Sequence, residues 1–70
     1  MLVYDNVKNL RLKNELTQLE VANSLNLSLY GYQKIERGLS DIKLSTLVSI
    51  CNLYHITPNE LIYNNFSCSL

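Results

Sequence analysis

Most of the features that would mark a metal, redox or membrane protein are missing from these 70 residues. The chain has only two cysteines, Cys51 and Cys68, and one histidine, His55. The cysteines form no CxxC pair, so neither a zinc site nor a redox dithiol is expected; a small core cysteine and a tail thiol is the plainer reading. No apolar run approaches the roughly 20 residues that span a bilayer, and the N-terminus MLVYDNVKN lacks a basic region followed by an apolar one. A cytoplasmic chain with no membrane partner is expected. Enzymatic parts are also missing: no nucleophile stands at recognisable spacing from a base, and there is no glycine-rich phosphate loop and no paired metal ligand. No catalytic residue and no cofactor are expected. Charge of either sign is not in excess, since six Lys and Arg balance six Asp and Glu.

What the chain does have is apolar content, 47% of its residues. That is enough to fold one small helical domain without a metal or disulfide framework, and too short a chain for two cores. One domain over residues 1–70 is expected, with a short tail over 64–70 and no repeat or linker.

The densest signals lie in residues 17–38, TQLEVANSLNLSLYGYQKIERG. Thr17 followed by Glu20 is a capping box, in which each side chain satisfies a backbone donor of the other at the start of a helix. Leu19, Ala22 and Leu25 then fall near one face. Asn26-Leu27-Ser28 breaks the period, because Asn tolerates the left-handed backbone that ends a helix and Ser28 can cap the next one. Along this second helix Tyr32, Ile35 and Leu39 recur at core spacing, while Tyr30, Gln33, Lys34 and Arg37 recur on another side. A helix so divided can be held by its apolar side and present its polar side to a DNA major groove.

These residues resemble the lambda-repressor-like (Cro-like) helix-turn-helix DNA-binding domains. The resemblance runs from about Val7 to Leu61, and is densest at Leu16-Thr17-Gln18, Val21-Ala22, Leu25-Asn26-Leu27-Ser28 and Ile35-Glu36-Arg37-Gly38. Ala22 matches a small residue where two helices cross closely, and Gly38 the left-handed residue that ends the second helix of the motif. The resemblance implies an all-α, compact five-helix domain whose third helix enters the major groove. It also implies that Arg11 and Glu36 form a structural ion pair between the first and third helices, and that Gln18 contacts the DNA backbone. Leu29, Tyr30, Gln33 and Lys34 align with base-reading positions, with Ser28 and Gly31 close to the backbone. Gln33 suits adenine, Lys34 guanine or phosphate, and Leu29 a thymine methyl. The Tyr30 hydroxyl suits phosphate or a base edge. Padding of the corner or a protein contact is the competing reading for Leu29 and Tyr30, and for Leu29 it stands level with base contact. The family usually carries glycine near Glu15, and this chain does not.

The remaining segments read as walls of the same domain. A first helix is expected near Tyr4 to Asn14, with Val3, Val7 and Leu10 inward. Leu44, Leu47, Val48, Ile50, Cys51 and Tyr54 make a wide apolar surface on a fourth helix, expected to be largely buried. Thr57-Pro58-Asn59-Glu60 is a second capping box, with proline at the first helical position of a short fifth helix. Leu61, Ile62, Tyr63 and Phe66 offer more apolar surface than so small a domain covers, so a two-fold homodimer through them is expected.

Balanced charge bears on the function. Neutralising phosphates supplies most non-specific DNA affinity, so a DNA binder usually has a basic surplus. Here Lys34, Arg37 and Lys43 lie in or just after the third helix, and Glu36 and Asp41 reduce their effect. The expected protein is a sequence-specific transcriptional regulator, a repressor on a palindromic double-stranded operator, with weak affinity for random DNA. The competing expectation is a protein-interaction module on the same fold, such as an antitoxin or anti-repressor.

Overall fold

The helices of this chain are bounded largely by local chemistry, and three of them open on a side-chain cap. In the computed structural model, which describes residues 2–66, they run in the order α1 (Leu2–Lys13), α2 (Gln18–Ser24), α3 (Leu29–Glu36), α4 (Leu44–Tyr54) and α5 (Pro58–Tyr63). No strand occurs among the described residues. Thr17 Oγ1 accepts from the Glu20 N–H at 3.1 Å while Glu20 Oε1 accepts from the Thr17 N–H at 2.9 Å. Thr57 and Glu60 repeat this arrangement ahead of α5, with Pro58 in the first turn. Ser28 caps α3 by accepting from the Gly31 N–H at 3.0 Å.

Four helix ends share one device. Glu15, Asn26, Gly38 and His55 take positive φ of 57°, 58°, 71° and 56°. In each case the next residue's N–H returns to a carbonyl five positions back: Leu16 to Arg11, Leu27 to Ala22, Leu39 to Lys34 and Ile56 to Cys51, at 2.9 to 3.1 Å. This is the left-handed termination that satisfies the last carbonyls of a helix. Glycine adopts it freely only at Gly38, where a Cβ would also stand 3.5 Å from the Tyr4 ring. At Glu15, near which the resembled family usually carries glycine, the chain makes the same turn with a side chain in place.

α1 packs against α3 and α5, α2 against α3, and α4 against α5. The core they enclose is Val7 and Leu10 from α1, Val21, Ala22 and Leu25 around α2, Tyr32 and Ile35 from α3, Ile50 and Cys51 from α4, and Leu61 from α5. Cys51 is a buried core thiol, raised in pKa by that burial, and Cys68 lies outside the described residues. α1 starts two residues before the expected Tyr4 and ends one before Asn14.

Several apolar positions expected to face the core do not. Leu19 is 53% exposed and Val21 takes the inward place, because the two turns of α2 bury one narrow side. Leu39 is 67% exposed, since the left-handed Gly38 ends the helical period before it. Leu44 and Val48 are 76% and 45% exposed, so α4 buries only Ile50 and Cys51 fully and keeps Leu47 and Tyr54 half-buried. α4 is therefore a wall with an uncovered outer face, contrary to its expected burial.

One fully buried polar side chain joins the two ends of the domain. Asn6 donates through Nδ2 to the carbonyls of Leu61 at 2.7 Å and Asn64 at 2.6 Å, and its Oδ1 accepts from the Phe66 N–H at 3.2 Å. A buried amide without partners is costly, and three hydrogen bonds offset that cost here. They also pin the chain beyond α5 against α1, and Phe66 folds back half-buried on the core.

Candidate nucleic-acid interface

α3 is anchored from beneath by Tyr32 and Ile35, which are 0% and 5% exposed. The opposite side carries the polar stripe expected from the sequence. Tyr30 and Arg37 are exposed, and Gln33 and Lys34 are half-buried. Leu29 is exposed at the start of the helix beside the capping Ser28. Lys34 Nζ lies 5.6 Å from the centroid of the Tyr30 ring, within reach of a cation–π attraction that draws the two side chains together. A Cβ at Gly31 would stand 3.1 Å from Ser28 Oγ, a tight contact but one that does not demand glycine, since Glu20 and Glu60 hold the matching position behind Thr17 and Thr57.

Behind the stripe, four side chains from three helices form a chain of hydrogen bonds. Arg11 Nε donates to Glu36 Oε2 at 2.6 Å and Arg11 Nη2 to Oε1 at 3.1 Å. This two-pronged geometry is the strong form of an arginine–carboxylate contact, and it ties α1 to α3. Arg11 Nη1 also donates to the Leu16 carbonyl at 3.1 Å, holding the α1–α2 turn. Gln18 Nε2 donates to Glu36 Oε1 at 3.1 Å, and Gln33 Nε2 donates to Gln18 Oε1 at 3.0 Å.

Burial alone would raise the Glu36 carboxyl, but hydrogen bonds led by those from Arg11 outweigh it and hold the group below its ordinary pKa. The Arg11 guanidinium is correspondingly raised, first by its bond to Glu36. The Tyr32 hydroxyl is buried, and it makes no hydrogen bond of acceptable geometry. Burial first, and then the nearby Glu36 carboxylate, shift its ionisation strongly upward. Arg11 and Glu36 thus act inside the protein, and the Arg11 cation is neutralised before any partner arrives.

The remaining site residues do not all converge. Arg37 and Gln18 line a polar cleft with Lys8, Leu16 and Thr17 where α2 begins. Lys43 is exposed ahead of α4 and borders a separate groove with Leu27, Gly31 and Asp41. Of the four residues expected at a dimer interface, Leu61 is 0% exposed and is corrected to a core residue, since α5 turns it inward between α1 and α4. Phe66 is half-buried in its own domain, leaving Ile62 and Tyr63 at the surface. The sequence reading missed Asn6 and the Gln18–Gln33 contact. Asn6 had a signal, because it lies on the inward line of Val3, Val7 and Leu10, where a polar residue needs partners.

Among the described residues no group of three or more His, Cys, Asp or Glu could hold a metal, and no helix is long and apolar enough to cross a membrane. No curated protein and no solved structure matches the chain. A family model described as Helix-turn-helix matches residues 7–61, from the middle of α1 to the buried Leu61 of α5. The capped α2, its left-handed exit and the anchored α3 all lie inside that match, and the chain belongs to the lambda-repressor/Cro-like helix-turn-helix family, a family of DNA-binding regulators.

Proposed function

We propose that this protein is a sequence-specific transcriptional repressor that lays α3 in the major groove of a palindromic operator as a homodimer. The observation that carries the reading is the division of α3: Tyr32 and Ile35 fix it in the core while Tyr30, Gln33, Lys34 and Arg37 face outward behind the Ser28 cap. In this reading Gln33 pairs with adenine, Leu29 meets a thymine methyl, and Lys34 takes guanine or phosphate. Gln18 offers phosphate the amide hydrogen not used by Glu36, and Ser28, Tyr30, Arg37 and Lys43 add backbone contacts. Ile62 and Tyr63 supply the dimer contact, with Leu61 excluded by its burial.

A second reading, a protein-interaction module such as an antitoxin or anti-repressor, is favoured by zero net charge together with exposed Leu29 and Tyr30. Selection from a random duplex pool, followed by fluorescence anisotropy over a salt series, separates the two. The repressor reading expects a recovered palindrome, a loss of about 1–3 kcal/mol and relaxed preference at one base pair for Gln33→Ala, and uniform weakening for Lys43→Ala. No preference for any duplex at low salt rejects it in favour of the protein-binding module.

A further inference from the structure

The hydrogen bonds behind α3 have a direction that begins at the ion pair. A carboxylate only accepts, so Glu36 Oε1 can receive Gln18 only through its nitrogen, and the Gln18 oxygen is left toward α3. That oxygen in turn can receive Gln33 only through nitrogen, as the 3.0 Å contact records. Arg11 holds Glu36 in place through two bonds, so the first member of the series cannot turn away. The amide of Gln33 is thereby held in one of its two senses before DNA arrives. It keeps Oε1 and one N–H free, the acceptor and donor that pair with the N6 and N7 edge of adenine. An amide free to turn over offers these groups in either order, and meets a wrong base with less penalty.

We infer that Gln18 and Glu36 are specificity-determining positioning residues, which set the sense of the Gln33 amide without touching a base. This rests on α3 reading bases as proposed above. It differs from a phosphate-contact role for Gln18 in what it does to preference. A phosphate contact raises affinity for all duplexes alike, whereas an orienting contact raises it most for the duplex that matches the oriented group.

Gln18→Met tests this, since it keeps the side chain's length and removes both of its hydrogen bonds. Gln18 and Gln33 are the two glutamines of the chain, so their side-chain amide NMR signals are simple to assign. In the free protein the Gln33 amide should be shifted from the position of a solvated glutamine and should move to it in Gln18→Met. On DNA, preference at the base pair identified by Gln33→Met should fall about threefold to tenfold in Gln18→Met, the range a single net hydrogen bond covers. The double variant should discriminate no less than Gln33→Met alone. A solvated Gln33 signal in the wild type overturns the proposal, as does uniform weakening with preference intact. A shifted signal in a wild type that prefers no duplex instead rejects the DNA reading, and the specificity role falls with it.

Discussion

Arg11→Met removes the cation from a pair whose side chains are only 11% and 4% exposed, and so isolates what that pair contributes. Glu36 would be left with the Gln18 amide at 3.1 Å as its remaining hydrogen-bond donor of good geometry. Removing one partner of a buried pair costs about 3–5 kcal/mol, because the other charge stays buried and uncompensated. Arg11 lies nearer the surface than Glu36, so water can enter the gap and the lower figure, about 3 kcal/mol, applies. Loss of the Nη1 bond to the Leu16 carbonyl adds about 1 kcal/mol. A domain of this size loses about 4–8 °C of melting temperature per kcal/mol, so a fall of about 15–30 °C is expected.

The pH dependence separates this cause from simple loss of packing. Glu36 ionises in the folded protein at lower pH than in the unfolded chain. Its stabilising contribution is therefore whole at neutral pH and is lost as pH falls from the ordinary glutamate range, about 4.3, through the lower folded value. In Arg11→Met the balance reverses, because burial becomes the dominant influence and raises the carboxyl. The variant's deficit relative to wild type should shrink between pH 7 and pH 4, and Arg11→Met combined with Glu36→Gln should recover part of it. Urea denaturation followed by circular dichroism at both pH values measures this. A melting temperature unchanged by Arg11→Met, or a deficit equal at both pH values, refutes the reasoning.

Three further outcomes are expected. Asn6→Ala strips a buried partner from the Leu61 and Asn64 carbonyls and should cost about 2 kcal/mol or more, with amide-exchange protection lost at Phe66; retained protection there would show that Asn6 does not hold the segment after α5. Gly38→Ala should destabilise by about 1–2 kcal/mol, while Glu15→Gly, at the matching left-handed position, should gain up to about 1 kcal/mol; calorimetry showing the same sign for both would contradict the shared termination. Ile62→Lys should convert a sedimenting dimer to a folded monomer, whereas Leu61→Lys should unfold the chain; a wild type that stays monomeric with operator DNA present removes the dimer proposal.

The features legible from sequence were those decided within one turn of chain. Thr17 with Glu20, Thr57 with Pro58 and Glu60, and Ser28 ahead of Gly31 involve partners three residues apart, so spacing alone locates them. The inward faces were legible where the helical period held, as at Val7 with Leu10 and Tyr32 with Ile35. It failed where something outside the helix decided. Leu39 follows a left-handed residue, Leu44 stands in the first turn of α4 without a neighbouring wall, and Leu61 differs from Ile62 only by which side of a six-residue helix meets α1. The role of Asn6 went unread for the same reason, since its partners lie more than fifty residues away.

The balanced charge takes on a different meaning beside the buried pair. Arg11 is engaged by Glu36, so fewer cations stand free for phosphate than the six basic residues suggest. Counterion release scales with the number of phosphates neutralised, and a protein with few such contacts cannot derive its operator affinity from charge alone. In a DNA-reading protein so built, discrimination has to come from directional groups on α3, and the value of a directional group depends on how firmly it is held. The hydrogen bonds that run from Arg11 through Glu36 and Gln18 to Gln33 hold such a group from a part of the fold already needed for stability. Stability and selectivity are then coupled through Glu36, the residue in which the ion pair and the amide series meet.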